Sequence, residues 1–402
     1  MNPKKRIYDA VLDEHLAEHR QMAFVSGPRQ VGKTTTCRRY ADIYINWDNI
    51  DDREQVLAGP ARLVEQLKLN RLHAHTPVVL FDELHKFPRW KQFLKGFFDT
   101  YADQVRITVT GSSRMDIYRR GGDSLMGRYF MYRMHPFSVA EILHQDLPHP
   151  RRIIRKPKKI NAADFEALML HGGYPEPYIK RDVRFSRRWQ ALRLEQLIRE
   201  DIRDLTQIQQ LDQLEMLVRL LKKRTAHQLI YGNLAKEIRV SIDTLRRWVT
   251  VLHNLHLGFL IRPWFKNVTR SLRKEPKWFL RDWAMVDDIG DKAETFIGCH
   301  LLKAVDGWTD MGFGTFELYY LRNKEKREVD FLVIRDGKPW FLVEVKQNDE
   351  SINDALKYYQ DQIKAPYAFQ VVIEAEYVNA DCFAKQRGPI VVPAKTFLSQ
   401  LL

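Results

Sequence analysis

Cysteine is scarce, with three in 402 residues, at Cys37, Cys299 and Cys382. Their odd number and wide spacing exclude a disulfide framework and offer no zinc-ligand pair, so a reducing cytoplasm is the expected compartment. Long apolar runs are missing as well. No stretch of about eighteen apolar residues occurs, and no apolar leader core follows the basic start Met1-Asn2-Pro3-Lys4-Lys5-Arg6, so neither a membrane span nor export is expected. Acidic side chains are the minority charge, 51 Asp and Glu against 65 Lys and Arg, for a net +14. That excess predicts a polyanionic partner, with DNA or RNA as the leading candidate; it bears on association rather than fold.

Apolar residues make up 45% of the chain, enough for sizeable cores, and the length predicts two or three domains. From about residue 20 to 145, short apolar strands alternate with amphipathic helices, the pattern of a doubly wound α/β domain. Strands are expected near 22–26, 43–47, 77–81 and 105–110. Directly after the first comes Gly27-Pro28-Arg29-Gln30-Val31-Gly32-Lys33-Thr34, then Thr35. A G-x-x-x-x-G-K-T between a strand and a helix is a phosphate loop, in which glycines let backbone NH groups turn inward onto a nucleoside triphosphate. Lys33 then reaches the β- and γ-phosphates, and Thr34 holds Mg²⁺.

The third strand ends in Asp82-Glu83, at the carboxyl edge where open α/β sheets bind ligands. Asp82 is expected to hold Mg²⁺ and Glu83 to polarise the attacking water; alone, the pair would read as a solvated turn. The fourth strand runs into Gly111-Ser112-Ser113-Arg114. Ser112 reads as a sensor of the γ-phosphate or the attacking water, or else as a helix cap. Arg128, beside Gly127, reads either as an arginine finger, acting on its own or on a neighbouring subunit's nucleotide, or as a solvated arginine.

Residues 151–160 hold six basic side chains in ten, a linker signal, and a helical region is expected over about 162–222. His171-Gly172-Gly173-Tyr174-Pro175 interrupts it as a turn. Around 226–256, Ala235, Val240 and the cap Ser241, with Leu245, Val249 and Leu252 spaced inward, match a helix-turn-helix. Thr244, Arg246, Arg247 and His253 are then left outward, the first three as the DNA-contacting residues, although such a motif equally packs against protein. From Arg262 to Arg281, seven Lys or Arg alternate with Trp264, Phe265, Trp278 and Phe279. The stretch suits nucleic acid, or strands whose aromatics face the core.

Near the carboxyl end, two apolar strands flank Arg335-Asp336-Gly337-Lys338, a hairpin signal. With a three-residue loop, Arg335 pairs with Pro339 and Asp330 falls opposite Glu344, sharing a face with Lys346. Two carboxylates and a lysine there suit metal-assisted phosphodiester cleavage, with Mg²⁺ on Asp330 and Glu344, and Glu294 upstream offers a further acid. An isolated D…ExK is ordinarily a surface hairpin; here the ExK ends an apolar strand, a costly place for charge.

With these residues in order, the chain resembles bacterial and archaeal AAA-type ATPases that carry a restriction-endonuclease-like carboxyl-terminal domain. The resemblance rests on residues 27–35, Asp82-Glu83-Leu84-His85-Lys86, Gly111-Ser112-Ser113, Gly127-Arg128, Gly172-Gly173-Tyr174-Pro175, Glu328-Val329-Asp330 and Glu344-Val345-Lys346. It departs in Val329, where the nuclease motif has proline. The expected fold class is α/β, divided as a P-loop AAA-type domain (1–148), a basic linker and helical subdomain (149–225), a winged-helix-like helix-turn-helix (226–264) and a PD-(D/E)xK-like α/β domain (265–402). The resemblance implies ATP hydrolysis with Mg²⁺. Three functions are consistent with it: an ATP-driven DNA-processing protein, a DNA nuclease licensed by nucleotide state, and an ATPase switch that binds protein partners. A trans-acting Arg128 requires a ring or a dimer.

Overall fold

The computed structural model describes residues 4–111, 125–202, 210–265, 274–385 and 387–402. Its contacts divide the chain into two units, residues 1–135 with 144–147, and residues 136–143 with 148–402. Ser112, the sensor expectation, lies outside the described residues.

The first unit runs α1 (Ile7–Glu18), β1 (Met22–Ser26), α2 (Lys33–Cys37), β2 (Ile43–Asn46), α3 (Ile50–Leu57), α4 (Pro60–Gln66), β3 (Val78–Asp82), α5 (Trp90–Tyr101), β4 (Arg106–Gly111) and β5 (Tyr129–Arg133). Every residue of β1 is buried, and β3 and β4 are buried after their first residue. Strands without polar alternation are those with both faces covered. The five strands form one parallel sheet in the order β2-β3-β4-β1-β5. Phe24, Phe81, Val109, Phe93 and Phe97 are part of its core. Because β4 lies between β1 and β3, Ser26 pairs with Gly111 and Asp82 with Thr110. Three strand ends thus meet side by side on the edge that carries the phosphate loop.

The second unit starts with α6 (Val139–Leu143), then continues with α7 (Ala162–His171), α8 (Pro175–Lys180), α9 (Val183–Gln196), α10 (Leu211–Lys223), α11 (Tyr231–Ile238) and α12 (Ile242–Asn254). There follow β6 (Gly258–Pro263), β7 (Lys277–Leu280), α13 (Ile289–Asp310), β8 (Phe316–Arg322), β9 (Glu328–Arg335), β10 (Lys338–Lys346), α14 (Asp354–Ile363), β11 (Tyr367–Val372), β12 (Ile390–Pro393) and α15 (Ala394–Ser399). The segment with α6, expected in the first domain, packs inside this unit. The Lys303 ammonium donates to Glu141 and, at 3.0 Å, to the Pro136 carbonyl, and Ser138 donates to the Leu402 carbonyl at 2.7 Å. The His171-Gly172-Gly173 turn gains a packing reason. A Cβ on Gly173 would stand 2.6 Å from both the Phe137 carbonyl oxygen and the Trp283 ring.

Seven strands form a mixed sheet, β12-β11-β10-β9-β8-β6-β7. The boundary expected at 264/265 falls between β6 and β7, whose strands pair over Gly258–Leu280, Phe259–Phe279, Leu260–Trp278 and Ile261–Lys277. The β9–β10 loop has two residues rather than the expected three, since Arg335 pairs with Lys338. Asp336 (φ 50°) and Gly337 (φ 75°) both take positive φ, as a type I′ hairpin turn demands. A bulge at Trp340 then restores the register, with Val343 opposite Phe331, so one step on Asp330 again lies opposite Glu344.

Candidate functional site

The phosphate loop leaves β1 through Gly27, at φ 150°, where a Cβ would sit 2.3 Å from the Met134 carbonyl oxygen. Gly32 caps α2 at φ 102°, and Gln30 adopts a left-handed φ of 62°, strain that functional loops tolerate. Inside the loop, the buried Lys33 ammonium donates to the carbonyls of Gly27 (3.0 Å) and Pro28 (2.9 Å). Burial pulls Lys33 below the ordinary lysine range, against the attraction of Glu83 and Asp82. Arg6, 3% exposed, pins the loop from outside the motif by donating to the carbonyls of Val31 (2.8 Å) and His135 (2.7 Å).

Three hydroxyls converge on Asp82 at the end of β3. Thr34 donates to Oδ2 at 3.0 Å, Tyr44 to the same oxygen at 2.9 Å, and Thr110 to Oδ1. Burial and the nearby Asp82 raise the Tyr44 pKa, which keeps its phenol a donor. Glu83 follows in a left-handed conformation, φ 54° and ψ 17°, with its carboxylate 3.5 Å from Lys86 Nζ and 3.7 Å from His85 Nε2. The residues suit a nucleoside triphosphate with Mg²⁺. A Cβ on Gly27 would push the loop out of this conformation, and Thr34 with Asp82 offers the hard oxygens that Mg²⁺ takes while keeping several waters.

Arg128 is elsewhere. It precedes β5 at the amino edge of the sheet, with its backbone carbonyl accepting from Met22 N at 2.8 Å, and its guanidinium pairs with Asp99 at 2.6 and 2.9 Å. A strand of five residues separates it from the phosphate edge, on the order of 15 Å. That excludes contact with the phosphates of its own chain.

In the second unit, the Ser241 hydroxyl accepts the Thr244 amide proton at 3.1 Å and starts α12. Leu245, Trp248, Val249 and Leu252 are buried against α10, α11 and β7. Arg246 and Arg247 are exposed and Thr244 half-buried. The β6–β7 hairpin follows, and an isolated bridge joins Gln228 to Lys277. In the basic, aromatic stretch the core-facing alternative holds for Trp278 and Phe279, both 0% exposed.

At the end of β9 and β10, Asp330 Oδ2 accepts from Val345 N at 2.9 Å. Glu344 Oε1 accepts from Lys346 Nζ at 2.9 Å and Asn353 Nδ2 at 2.7 Å, while its buried Oε2 has no hydrogen-bond partner among the described residues. Burial and the neighbouring Asp330 push Glu344 up to about 7. The orphaned oxygen fits one proton or one cation beside Asp330. Sequence reasoning missed the group on the other side. The ammonium of Lys277, 4% exposed, lies 2.6 Å from Glu328, 2.8 Å from Glu294 and 3.8 Å from Asp330. Among the described residues, no group of three or more His, Cys, Asp or Glu is placed to hold a metal ion. Burial sets Lys277 apart from Arg262, Lys274 and Arg281 among the described residues, and burial is invisible in a basic run.

Residues 19–143 match a family described as an AAA domain, and this part of the chain is an AAA-type ATPase domain. Residues 162–291 and 289–397 each match a domain of unknown function. The chain is similar to an uncharacterized protein of Mycobacterium tuberculosis, 22% identical over 87% of this chain and 76% of the relative. It is similar also to one of Methanocaldococcus jannaschii, 22% identical over 85% and 78%. Among solved structures, that of the Aeropyrum pernix ORC1 protein in complex with DNA matches with a TM-score of 0.31 and 14% identity, over 72% of this chain and 90% of that one; a likeness that low bears on neither fold nor function. No helix among the described residues is long and apolar enough to cross a membrane.

Proposed function

We propose that this chain is a Mg²⁺-dependent ATP hydrolase that grips and remodels DNA. The observation that carries it is the convergence of Thr34, Tyr44 and Thr110 on Asp82 beside the phosphate loop. Lys33 leaves the loop carbonyls for the β- and γ-phosphates. Thr34 and Asp82 would hold Mg²⁺, which would supply charge neutralisation at the transferred phosphoryl group. Glu83, one residue beyond Asp82, orients and deprotonates the attacking water. Arg128 serves in trans, at the nucleotide of a second copy, and Ser112, the residue after Gly111 in sequence, is the proposed sensor.

The DNA reading is supported by the exposed Arg246 and Arg247 on α12, by the order of three helices and a hairpin that a winged helix has, and by the net charge of +14. Turnover is measured with Lys33→Ala as control, with and without duplex, branched and single-stranded DNA and RNA at low salt. Stimulation by DNA is expected. An ATPase rate indifferent to every nucleic acid sinks the reading.

A second reading, a nuclease licensed by nucleotide state, is favoured by the partnerless Oε2 of Glu344 beside Asp330, in a domain we take as restriction-endonuclease-like. Nicking with Mn²⁺ that disappears in Asp330→Ala while ATP hydrolysis survives supports it; nicking retained in Asp330→Ala counts against it.

A further inference from the structure

The geometry points to Lys277 as a resident cation, whose ammonium takes the place between Glu294, Glu328 and Asp330 that a divalent ion would otherwise fill. A buried ammonium is stable only where anions match it closely, and here three carboxylates do. Glu328 and Glu294 stand at 2.6 and 2.8 Å, ordinary for N⁺–H···O⁻ pairs. Mg²⁺ needs its oxygens at about 2.0–2.1 Å in near-octahedral order. With Asp330 at 3.8 Å, the oxygens around this point are spaced for an ammonium.

The lysine is also anchored. Its backbone pairs with Ile261 and bridges to Gln228, and the Tyr320 ring lies 5.6 Å from its Nζ. Burial opposes its charge, yet Glu294, Asp330 and Glu328 together hold its pKa above the ordinary lysine value. Arg322 takes the second oxygen of Glu328, so that carboxylate is neutralised from both sides. The cluster therefore holds, at its centre, a cation that no chelator removes, and any divalent ion it accepts is confined to the Glu344 side. This holds whether or not the domain cuts DNA.

The test is a Mn²⁺ titration of the full chain, without nucleotide, followed by electron paramagnetic resonance. The wild-type chain is expected to bind no Mn²⁺ that Glu294→Gln abolishes. Lys277→Met is expected to gain one, lost again in Lys277→Met/Glu294→Gln. A Glu294-dependent ion in the wild type overturns the proposal, as does a folded Lys277→Met that gains none. If Lys277→Met does not fold, the double variant is expected to fold without metal, because removing one carboxylate restores the charge balance. A double variant that stays unfolded overturns it too.

Discussion

Thr34 donates its hydroxyl to Asp82 across 3.0 Å and so ties the helix after β1 to the end of β3, with β4 lying between the two strands. The two residues proposed to hold Mg²⁺ are thereby set at one distance by the sheet order. Asp82→Asn keeps the volume and part of the hydrogen bonding but removes the charge. Its ATPase rate is expected to fall by on the order of 100-fold or more, with secondary structure unchanged by circular dichroism.

Gly27 has no room for a side chain. Gly27→Ala would set its Cβ 2.3 Å from the Met134 carbonyl at a φ of 150°, so the loop must move. Loss of nucleotide binding in a fluorescent-analogue titration is expected, together with a destabilisation of about 1–3 kcal/mol in urea unfolding.

Arg128 and the phosphate loop lie at opposite edges of one sheet, which makes complementation a sharp test. Lys33→Ala and Arg128→Ala are each expected to be nearly inactive alone. Mixed at micromolar concentration, they regain part of the wild-type rate, since one copy supplies the loop and the other the arginine. A mixture no faster than its components confines Arg128 to its pair with Asp99.

Arg246 and Arg247 are exposed on α12, away from its buried face, so replacing both by alanine leaves folding and basal ATP turnover intact. Duplex affinity is expected to fall, and the slope of log K against log salt to drop by about 0.9 for each phosphate no longer neutralised. Fluorescence anisotropy at several salt concentrations reads both.

Glu344 makes stability depend on pH. Its folded pKa, about 7, stands above the ordinary glutamate value of 4.5, so between these two values the unfolded chain binds fewer protons than the folded one. Stability then falls as pH rises through that window and levels off above about 7. Glu344→Gln has no such proton to lose. Urea unfolding at pH 5 and pH 8 is expected to show a smaller difference for the variant than for the wild type.

Much of this is legible in the sequence where one local pattern suffices. The apolar runs mark four of the five strands of the first sheet, and G-x-x-x-x-G-K-T places the loop. The fifth strand carries a weaker signal, because its apolar run Tyr129–Tyr132 is short, is bounded by Arg128 and Arg133, and lies at a sheet edge with Phe130 exposed. The partners of Asp82 are illegible for another reason. Tyr44 and Thr110 come from strands that only the order β2-β3-β4-β1 brings to its two sides. At the β9–β10 hairpin the loop is one residue shorter than expected, yet Asp330 keeps its expected register, since the bulge at Trp340 adds back the residue that the shorter turn removes. Lys277 shows the limit most plainly. Read in a row of basic residues it looks like a partner for nucleic acid, and only burial turns it toward three carboxylates.

The β6–β7 hairpin that follows α12 is hydrogen-bonded into the same sheet as β8 and β9 through Arg262–Tyr319 and Pro263–Tyr320. A pull on this hairpin is therefore carried along a ladder of backbone amides to the strand that holds Glu328 and Asp330. Among the described residues, α12 thus leads through β6 into the strand ladder that carries the carboxylate cluster, so a displacement of one would be met by the other as strain along backbone hydrogen bonds.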